Sequence, residues 1–124
     1  MRIYVSHSKS FDFKNELYKP IRESSLNEKY TFILPHENSD KPFSHKDYLK
    51  NEINLIIAEV SYPATGMGIE LGQANVYKIP IICIYKKNSK ISGSLKVISK
   101  NFIEYSNSKE LISGIKEAIN HIKI

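Results

Sequence analysis

The chain has 124 residues, of which 41% are hydrophobic and 25% are charged, and its formal net charge is +5. This length suits a single domain, expected over residues 1–124, and no apolar run approaches the length needed to cross a membrane. The positive charge is compatible with anionic small ligands, but the lysines form no basic stripe interleaved with aromatic residues, so we expect no binding to a nucleic-acid polymer.

Short β-rich and apolar runs alternate along the chain with longer segments of helical character. The runs predict five strands, in chain order at 2–6, 30–34, 55–60, 79–85 and 101–105. The other segments predict helices at 11–23, 44–52, 69–77 and 108–122. Ser10 is a candidate cap for the first helix, which Pro20 is expected to kink or shorten. Ser44 followed by Asp47 is typical of a capped start for the second helix.

Alternating strands and helices of these lengths favour a parallel sheet that is covered on both faces. We predict an α/β, three-layer, flavodoxin-like sandwich with a five-stranded parallel sheet in the order 2-1-3-4-5. Ligands of such sheets lie beyond the carboxyl ends of the strands. Strands 1 and 3 are neighbours in this order, so the loops after them, at 6–10 and 61–68, are expected to form the walls of a pocket.

The segment 54–74, NLIIAEVSYPATGMGIELGQA, predicts a buried strand, a loop with Gly66 and Gly68, and a helix from Ile69. Glu70 would then lie in the first helical turn, where the macrodipole favours an ionised carboxylate. Such a carboxylate above a pocket is a candidate nucleophile, although a glutamate at this position is often a helix-start residue and nothing more. The glycine spacing is one residue longer than the dinucleotide fingerprint, so we expect no Rossmann-type NAD site.

The sequence AEVSYPATGMGIELGQA resembles the signature of the nucleoside 2-deoxyribosyltransferase family, most closely its branch of 2'-deoxynucleoside 5'-monophosphate N-glycosidases. The resemblance implies that Glu70 is the nucleophile that attacks the anomeric carbon of the sugar. It also implies a catalytic role for Asp47, which lies one residue closer to the signature than the corresponding family aspartate. Tyr4 matches a tyrosine that lies beside the sugar. A homodimer is implied as well, because the family's sites are often completed across subunits.

The chain departs from the family at the phosphate-binding positions. That branch has a glycine-containing loop with an arginine after strand 1 and a serine after the signature proline, whereas this chain has SHSKS at 6–10 and Ala64. Hydroxyl and ammonium groups also bind phosphate, so Ser8, Lys9 and Thr65 are possible substitutes. The substrate-binding candidates are Tyr4, Ser6, His7, Ser8, Lys9, Thr65, Gly66, Gly68, Ser92 and Ser94, of which the last two correspond to a serine that the family takes from the partner subunit.

Two classes of function stay open, both with a small nucleoside or nucleotide as the ligand. The first is enzymatic: hydrolysis of the N-glycosidic bond of 2'-deoxynucleoside 5'-monophosphates or related nucleosides is favoured over base exchange by a deoxyribosyltransferase. The second is a nucleotide-binding module without turnover, which the altered phosphate loop favours and the intact Glu70 opposes. Nothing in the residues selects another N-glycosidic substrate such as NAD.

No cofactor or metal is expected, because the four histidines show no metal-ligand spacing with one another or with the single Cys83. Cys83 lies in an apolar run and can form no internal disulfide, which is compatible with a reducing, cytoplasmic location. Tyr48, Tyr77 and Tyr85 are candidates either for a dimer interface or for the core.

Overall fold

A computed structural model of the chain describes residues 1–42 and 44–122. Its five parallel strands are ordered β2-β1-β3-β4-β5, which confirms the predicted flavodoxin-like fold. The strands are β1 (Arg2–His7), β2 (Thr31–Ile33), β3 (Leu55–Glu59), β4 (Ile81–Lys86) and β5 (Asn101–Tyr105). The helices are α1 (Lys19–Glu23), α2 (Leu26–Lys29), α3 (His45–Asn51), α4 (Thr65–Val76) and α5 (Ser108–His121), with a π-helix at Lys14–Tyr18 and a 3-10 helix at Gly93–Val97.

The sheet separates two hydrophobic layers, because successive side chains of a strand point to opposite faces. Val5 and Ile57 belong to the layer that contains buried residues of α1, α2 and α5. Tyr4 and Ile56 belong to the layer that contains buried residues of α3 and α4. Within the two described stretches, no helix is long and apolar enough to cross a bilayer.

The first helical segment differs from the prediction in its start and in its hydrogen-bond register. It begins at Lys14 with a π-helix, in which the N–H of Lys19 donates to the carbonyl of Lys14, five residues back. Pro20 follows at once and has no N–H to continue an α-helical ladder, so the wider turn directly precedes the proline. Ser10 does not cap this helix, because its backbone N–H and hydroxyl both contact the side-chain oxygen of Ser8. The short helix α2 was not predicted.

The start of α4 is the departure that matters most for the site. The helix begins at Thr65, so Gly66 and Gly68 lie within its first turns and not in a loop. Glu70 therefore lies five residues beyond the helix start, and its predicted place in the first turn is wrong. Glycine costs a helix only about 1 kcal/mol relative to alanine, and tertiary packing overrides so weak a preference.

Four further side chains bear on the sequence predictions. Cys83 is buried, and burial raises the pKa of its thiol to about 11, as expected for a structural thiol. Tyr48 is also buried and therefore belongs to the core. Ser44 and Asp47 form one half of the predicted capping box of α3. The N–H of Ser44 donates to the carboxylate of Asp47 at 2.9 Å, and the hydroxyl of Ser44 donates to the same carboxylate oxygen at 3.2 Å.

Gly114 marks a close approach of α5 to the sheet, and its replacement tests this packing. A Cβ at Gly114 would lie 2.5 Å from Cγ2 of Ile103 on β5. We expect Gly114→Ala to lower the free energy of unfolding by about 1 kcal/mol, because an overpacking cost of about 1–3 kcal/mol exceeds a helix-propensity gain of about 1 kcal/mol. Denaturant titration measures this change. Gly66→Ala is the matched control, since its Cβ would meet no described atom within 4 Å. An equal loss in both variants would contradict the expectation.

Candidate active site

The carboxyl ends of β1 and β3 meet the first turns of α4 at a cavity of about 380 Å³, here named the Glu70 cavity. Its described lining residues are His7, Ser8, Lys9, His36, Pro42, Ala64, Gly66, Met67, Ile69 and Glu70. β1 and β3 are paired neighbours, so the cavity lies where the predicted strand order placed a pocket. Its volume is within the range of small-molecule sites, which is roughly 300–1,000 Å³.

Two hydroxyl groups from β1 hold the carboxylate of Glu70. The hydroxyl of Tyr4 donates to Oε2, and the hydroxyl of Ser6 donates to Oε1 at 2.9 Å. Both residues are 0% exposed, so β1 fixes the positions of these donors. From α3, the hydroxyl of Tyr48 donates to the backbone carbonyl of Glu70 at 3.1 Å. Each carboxylate oxygen thus has its own donor, and the helical backbone beneath it is anchored as well.

The electrostatics of Glu70 differ from the sequence expectation. Burial raises the pKa of its carboxyl above the usual range, while the hydrogen bonds from Tyr4 and Ser6 lower that pKa in part. Because Glu70 lies beyond the first turn of α4, these two hydroxyls, and not the helix N-terminus, favour the charged form. Burial also raises the pKa of Tyr4, so its phenol stays protonated and continues to donate. A carboxylate tuned in this way suits nucleophilic or acid–base chemistry.

His7, the last residue of β1, forms part of the cavity wall as a neutral side chain. It is 5% exposed, and burial lowers its pKa to about 4. Its Nδ1–H donates to the carbonyl of Ser8 at 2.8 Å, so its Nε2 accepts from the hydroxyl of Tyr18 at 2.6 Å. The oxygen of Tyr18 in turn accepts from the backbone N–H of His36 at 3.1 Å. This series of hydrogen bonds ties the loop after β1 to the loop after β2.

A stacked pair of aromatic rings joins the segments that follow β1 and β3. The ring centroids of Phe11 and Tyr62 are 5.0 Å apart, with an angle of 21° between the planes. The ammonium of Lys86 lies 5.1 Å from the centroid of Phe11 and 5.2 Å from that of Tyr62, and it also pairs with Glu16. The two segments that wall the Glu70 cavity are therefore fixed relative to each other by contacts outside its lining.

Glu59 is a second buried carboxylate whose importance the sequence analysis missed. Its Oε1 accepts from the N–H of Ser61 at 2.6 Å, and its Oε2 accepts from the hydroxyl of Tyr105. Burial raises the pKa of Tyr105, which keeps this phenol a donor. The only sequence signal was the interruption of the apolar run at 55–60 by a charged residue. Glu59 lies outside the described lining of the Glu70 cavity and serves to join β3 to β5.

Some predicted site residues lie with Glu70. His7, Ser8, Lys9 and Gly66 line the same cavity, and the ammonium of Lys9 donates to the carbonyl of Asp40 at 3.2 Å. Tyr4 and Ser6 contact Glu70 directly, from beneath the carboxylate.

Other predicted residues are not among the described lining residues of the Glu70 cavity. Ser92, Ser94 and Gly68 line a second cavity of about 350 Å³, which shares Ala64 and Met67 with the first. Thr65 is exposed and is not among the described lining residues of either cavity. Asp47 accepts from the backbone and hydroxyl of Ser44. Contact of these residues with a substrate stays a prediction. Over 1–42 and 44–122, no group of three or more His, Cys, Asp or Glu residues is arranged to hold a metal ion.

Sequence comparisons give partial matches. No protein-family model matches the chain. A protein of Methanosarcina barkeri, named provisionally as a 2'-deoxynucleoside 5'-phosphate N-hydrolase, is 43% identical over 40 residues, which are 32% of this chain and 25% of that protein. The 5-hydroxymethyl-dUMP N-hydrolase of Branchiostoma floridae is 32% identical over 68 residues, which are 52% of this chain and 65% of that protein. The chain thus spans less than two thirds of the length of these curated relatives.

Comparisons of structure extend over nearly the whole chain. The CMP N-glycosidase of Clostridium botulinum superposes with a TM-score of 0.66 at 19% identity, over 94% of this chain and 99% of that one. A conserved protein from Enterococcus faecalis V583 superposes with a TM-score of 0.57 at 17% identity, over 94% and 98% of the two chains. At these identities the likeness shows the fold. The partial sequence matches confirm the predicted resemblance to the 2'-deoxynucleoside 5'-monophosphate N-glycosidase branch of the nucleoside 2-deoxyribosyltransferase family.

The raised pKa of Glu70 makes a prediction about stability. The folded chain binds the Glu70 proton more tightly than the unfolded chain does, because the pKa of Glu70 is raised in the folded state. The stability that this proton contributes is therefore fully present below the unfolded pKa of about 4.3. It is lost as the pH rises through the pKa of the folded state. Glu70→Gln removes this ionisation. We expect its melting temperature to equal or exceed that of the wild type at about pH 8, and the difference to shrink as the pH falls toward about 4.

Calorimetry over this pH range measures the effect. Glu104→Gln, at an exposed position on β5, is the matched control and should show no such pH-dependent gain. A Glu70→Gln protein that loses stability most strongly at high pH would contradict the sign of the expected effect.

Proposed function

We propose that the protein hydrolyses the N-glycosidic bond of 2'-deoxynucleoside 5'-monophosphates, or of related nucleosides, through a covalent intermediate on Glu70. The observation that carries the proposal is the carboxylate of Glu70, which Tyr4 and Ser6 hold beside a cavity of about 380 Å³. The names of the partial sequence relatives support the same class of reaction. A carboxylate in this position can meet the positive charge that develops at the anomeric carbon.

The proposed reaction has two displacement steps. In the first, an oxygen of Glu70 attacks the anomeric carbon, a carbon–oxygen bond forms, and the carbon–nitrogen bond to the base breaks. The electron pair of the broken bond leaves with the base, which takes up a proton. In the second, water attacks the same carbon and loses a proton, and the bond to Glu70 breaks to restore the carboxylate. One water is consumed, and the free base and the sugar are released.

We assign Asp47 to binding the sugar or to delivering the proton that the departing base takes up. The Oδ2 atom of Asp47 accepts from Ser44, so this role falls to the other carboxylate oxygen. The 5'-phosphate is assigned to Ser8 and Lys9. Within the described lining, Lys9 supplies the positive charge, because burial lowers the pKa of both His7 and His36 and disfavours their charged forms.

A homodimer forms part of the proposal. Ser92 and Ser94 line the second cavity together with Gly68 of α4. At about 100° per residue, Gly68 and Glu70 are about 200° apart around the helix axis, so the second cavity and Glu70 lie on different sides of α4. From that position they suit a contribution to the site of a partner subunit better than to their own. Large apolar side chains are also exposed at the end of α4 and at the end of the 3-10 helix that contains Ser94, with Val76 77% and Val97 83% exposed. A second copy of the chain would cover them.

Replacement of Glu70 tests the reaction. Wild-type protein is incubated with a panel of deoxynucleosides and their 5'-monophosphates, with and without a free acceptor base, and base release is followed by chromatography. We expect release without acceptor, and a loss of at least about 10³-fold in Glu70→Gln, because the nucleophile is removed. Glu104→Gln should retain the activity. New nucleoside that forms only with acceptor would show a transferase, and no product from any member of the panel would contradict the proposed catalysis.

Replacement of Lys9 tests the phosphate assignment. A charge-assisted hydrogen bond is worth about 1.5–3 kcal/mol, so Lys9→Met should raise KM for a monophosphate by about 10-fold or more. KM for the matching nucleoside should change by less than about 2-fold, since it carries no phosphate to lose. Lys116→Met, at an exposed position on α5, controls for the change in net charge. Equal effects of Lys9→Met on both substrates would rule out a phosphate contact.

A further inference from the structure

The geometry around Ser6 fits a role other than contact with the substrate. Successive residues of a strand alternate between faces, so Tyr4 and Ser6, two positions apart, both face α4. They reach different oxygens of the same carboxylate, Oε2 and Oε1 of Glu70 respectively. Ser6 is 0% exposed and is absent from the described lining of the Glu70 cavity. A serine hydroxyl carries a single proton, so while it donates to Glu70 it has none to donate to a ligand.

The number of donors matters because the terminal torsion of a glutamate is soft. The carboxylate group of a glutamate rotates in a broad, roughly two-fold energy well. With the hydroxyl of Tyr4 as the single donor, the group could turn about that contact. A second donor on the other oxygen, from the same rigid strand, fixes the plane of the carboxylate. The same hydrogen bond favours the ionised form over the protonated form.

We propose that Ser6 is a positioning residue that holds the carboxylate plane of Glu70 for attack and keeps the group ionised, in place of the substrate-binding role that the sequence suggested. This inference rests on the proposed glycosidase function, and it concerns how this chain prepares the nucleophile. It predicts that the loss of the Ser6 hydroxyl changes the chemical step and its pH dependence more than it changes substrate affinity.

The other groups around Glu70 do not replace this function. Burial raises the pKa of the phenols of Tyr4 on β1, Tyr48 on α3 and Tyr18 in the π-helix, so all three stay neutral in the acid range. The basic groups that share its cavity are Lys9, His7 and His36, and burial lowers the pKa of both histidines. The described side-chain hydrogen bond of Ser6 goes to Glu70, so a titration that moves when Ser6 is changed reports on Glu70.

The test compares Ser6→Ala with wild type over a range of pH, with a substrate from the panel above. Loss of the donor disfavours the charged carboxylate, so the acid limb of the kcat/KM profile should move to higher pH. We expect kcat to fall by about 10- to 100-fold, the equivalent of one hydrogen bond to a charged group, with little change in KM. Ser6→Thr keeps the hydroxyl and should restore most of the activity and the wild-type acid limb.

Ser99→Ala is the matched control for the loss of a buried hydroxyl. Ser99 is 8% exposed and donates to the carbonyl of Ile81 at 2.6 Å, away from the Glu70 cavity. The Ser99→Ala substitution should lower the melting temperature and leave the acid limb of the kcat/KM profile unchanged. If Ser6→Ala behaves in the same way, or raises KM alone, the proposal is overturned and Ser6 is structural or a substrate ligand. If Ser6→Ala fails to fold, Ser6→Cys, a nearly isosteric but weaker donor, must move the acid limb in the same direction.

A direct titration of Glu70 separates this inference from the proposed function. The carboxyl carbon of Glu70 is followed by NMR as the pH is varied, in wild type and in Ser6→Ala, and its pKa should be higher in the variant. This measurement needs no turnover. If the wild type releases no base from any substrate, the proposed function fails, while a shifted Glu70 titration still supports the positioning role. An unchanged titration would overturn the positioning role whether or not the protein is active.

Discussion

The hydrogen bonds that Tyr4 and Ser6 donate to Glu70 connect the first strand of the sheet to the helix that carries this carboxylate. They bring together groups that are more than sixty positions apart in the sequence. Because a strand alternates its faces, the same strand sends His7 to the other side, where its ring contacts Phe13 and Tyr18. One strand of six residues therefore supplies both the donors that hold the Glu70 carboxylate and a wall of the cavity.

Three glycines in α4, the helix that carries Glu70, lower the stability of the helix and leave space beside it. Gly66, Gly68 and Gly72 all lie within α4, and each costs about 1 kcal/mol relative to alanine in a helix interior. None has a positive φ, and an added Cβ at any of them would meet no described atom within 4 Å, so neither backbone strain nor packing explains them. They instead leave the two cavities unobstructed along α4. Partial burial of the Glu70 charge adds to this cost, as is common where a site needs a tuned group.

The sequence was sufficient for the strand order and for the position of the Glu70 cavity. The apolar runs are short, and the segments between them have helical character, which leaves few topologies for a parallel sheet. The start of α4 was mispredicted because two glycines near Pro63 resemble a loop. A local preference of about 1 kcal/mol cannot distinguish a loop from the first turns of a helix. The contact of His7 with Tyr18 spans 11 positions and joins a strand to a helical segment, and the contact of Glu59 with Tyr105 spans 46 positions. No local pattern contains that information.

The contacts of His7 and Phe11 explain how the loop after β1 keeps a defined shape without a glycine. A glycine-containing loop adopts its shape through backbone freedom, whereas the loop here is held by His7, which bonds to Ser8 and to Tyr18, and by Phe11, which stacks on Tyr62. Side-chain packing thus sets the shape of the loop that would meet the phosphate. The support of Glu70 comes from Tyr4 and Ser6, which lie on the opposite face of β1 from His7. Under the proposed function, bond cleavage and recognition of the distal part of the substrate are carried by separate groups. The loop can then differ from the family pattern while the arrangement around Glu70 stays intact.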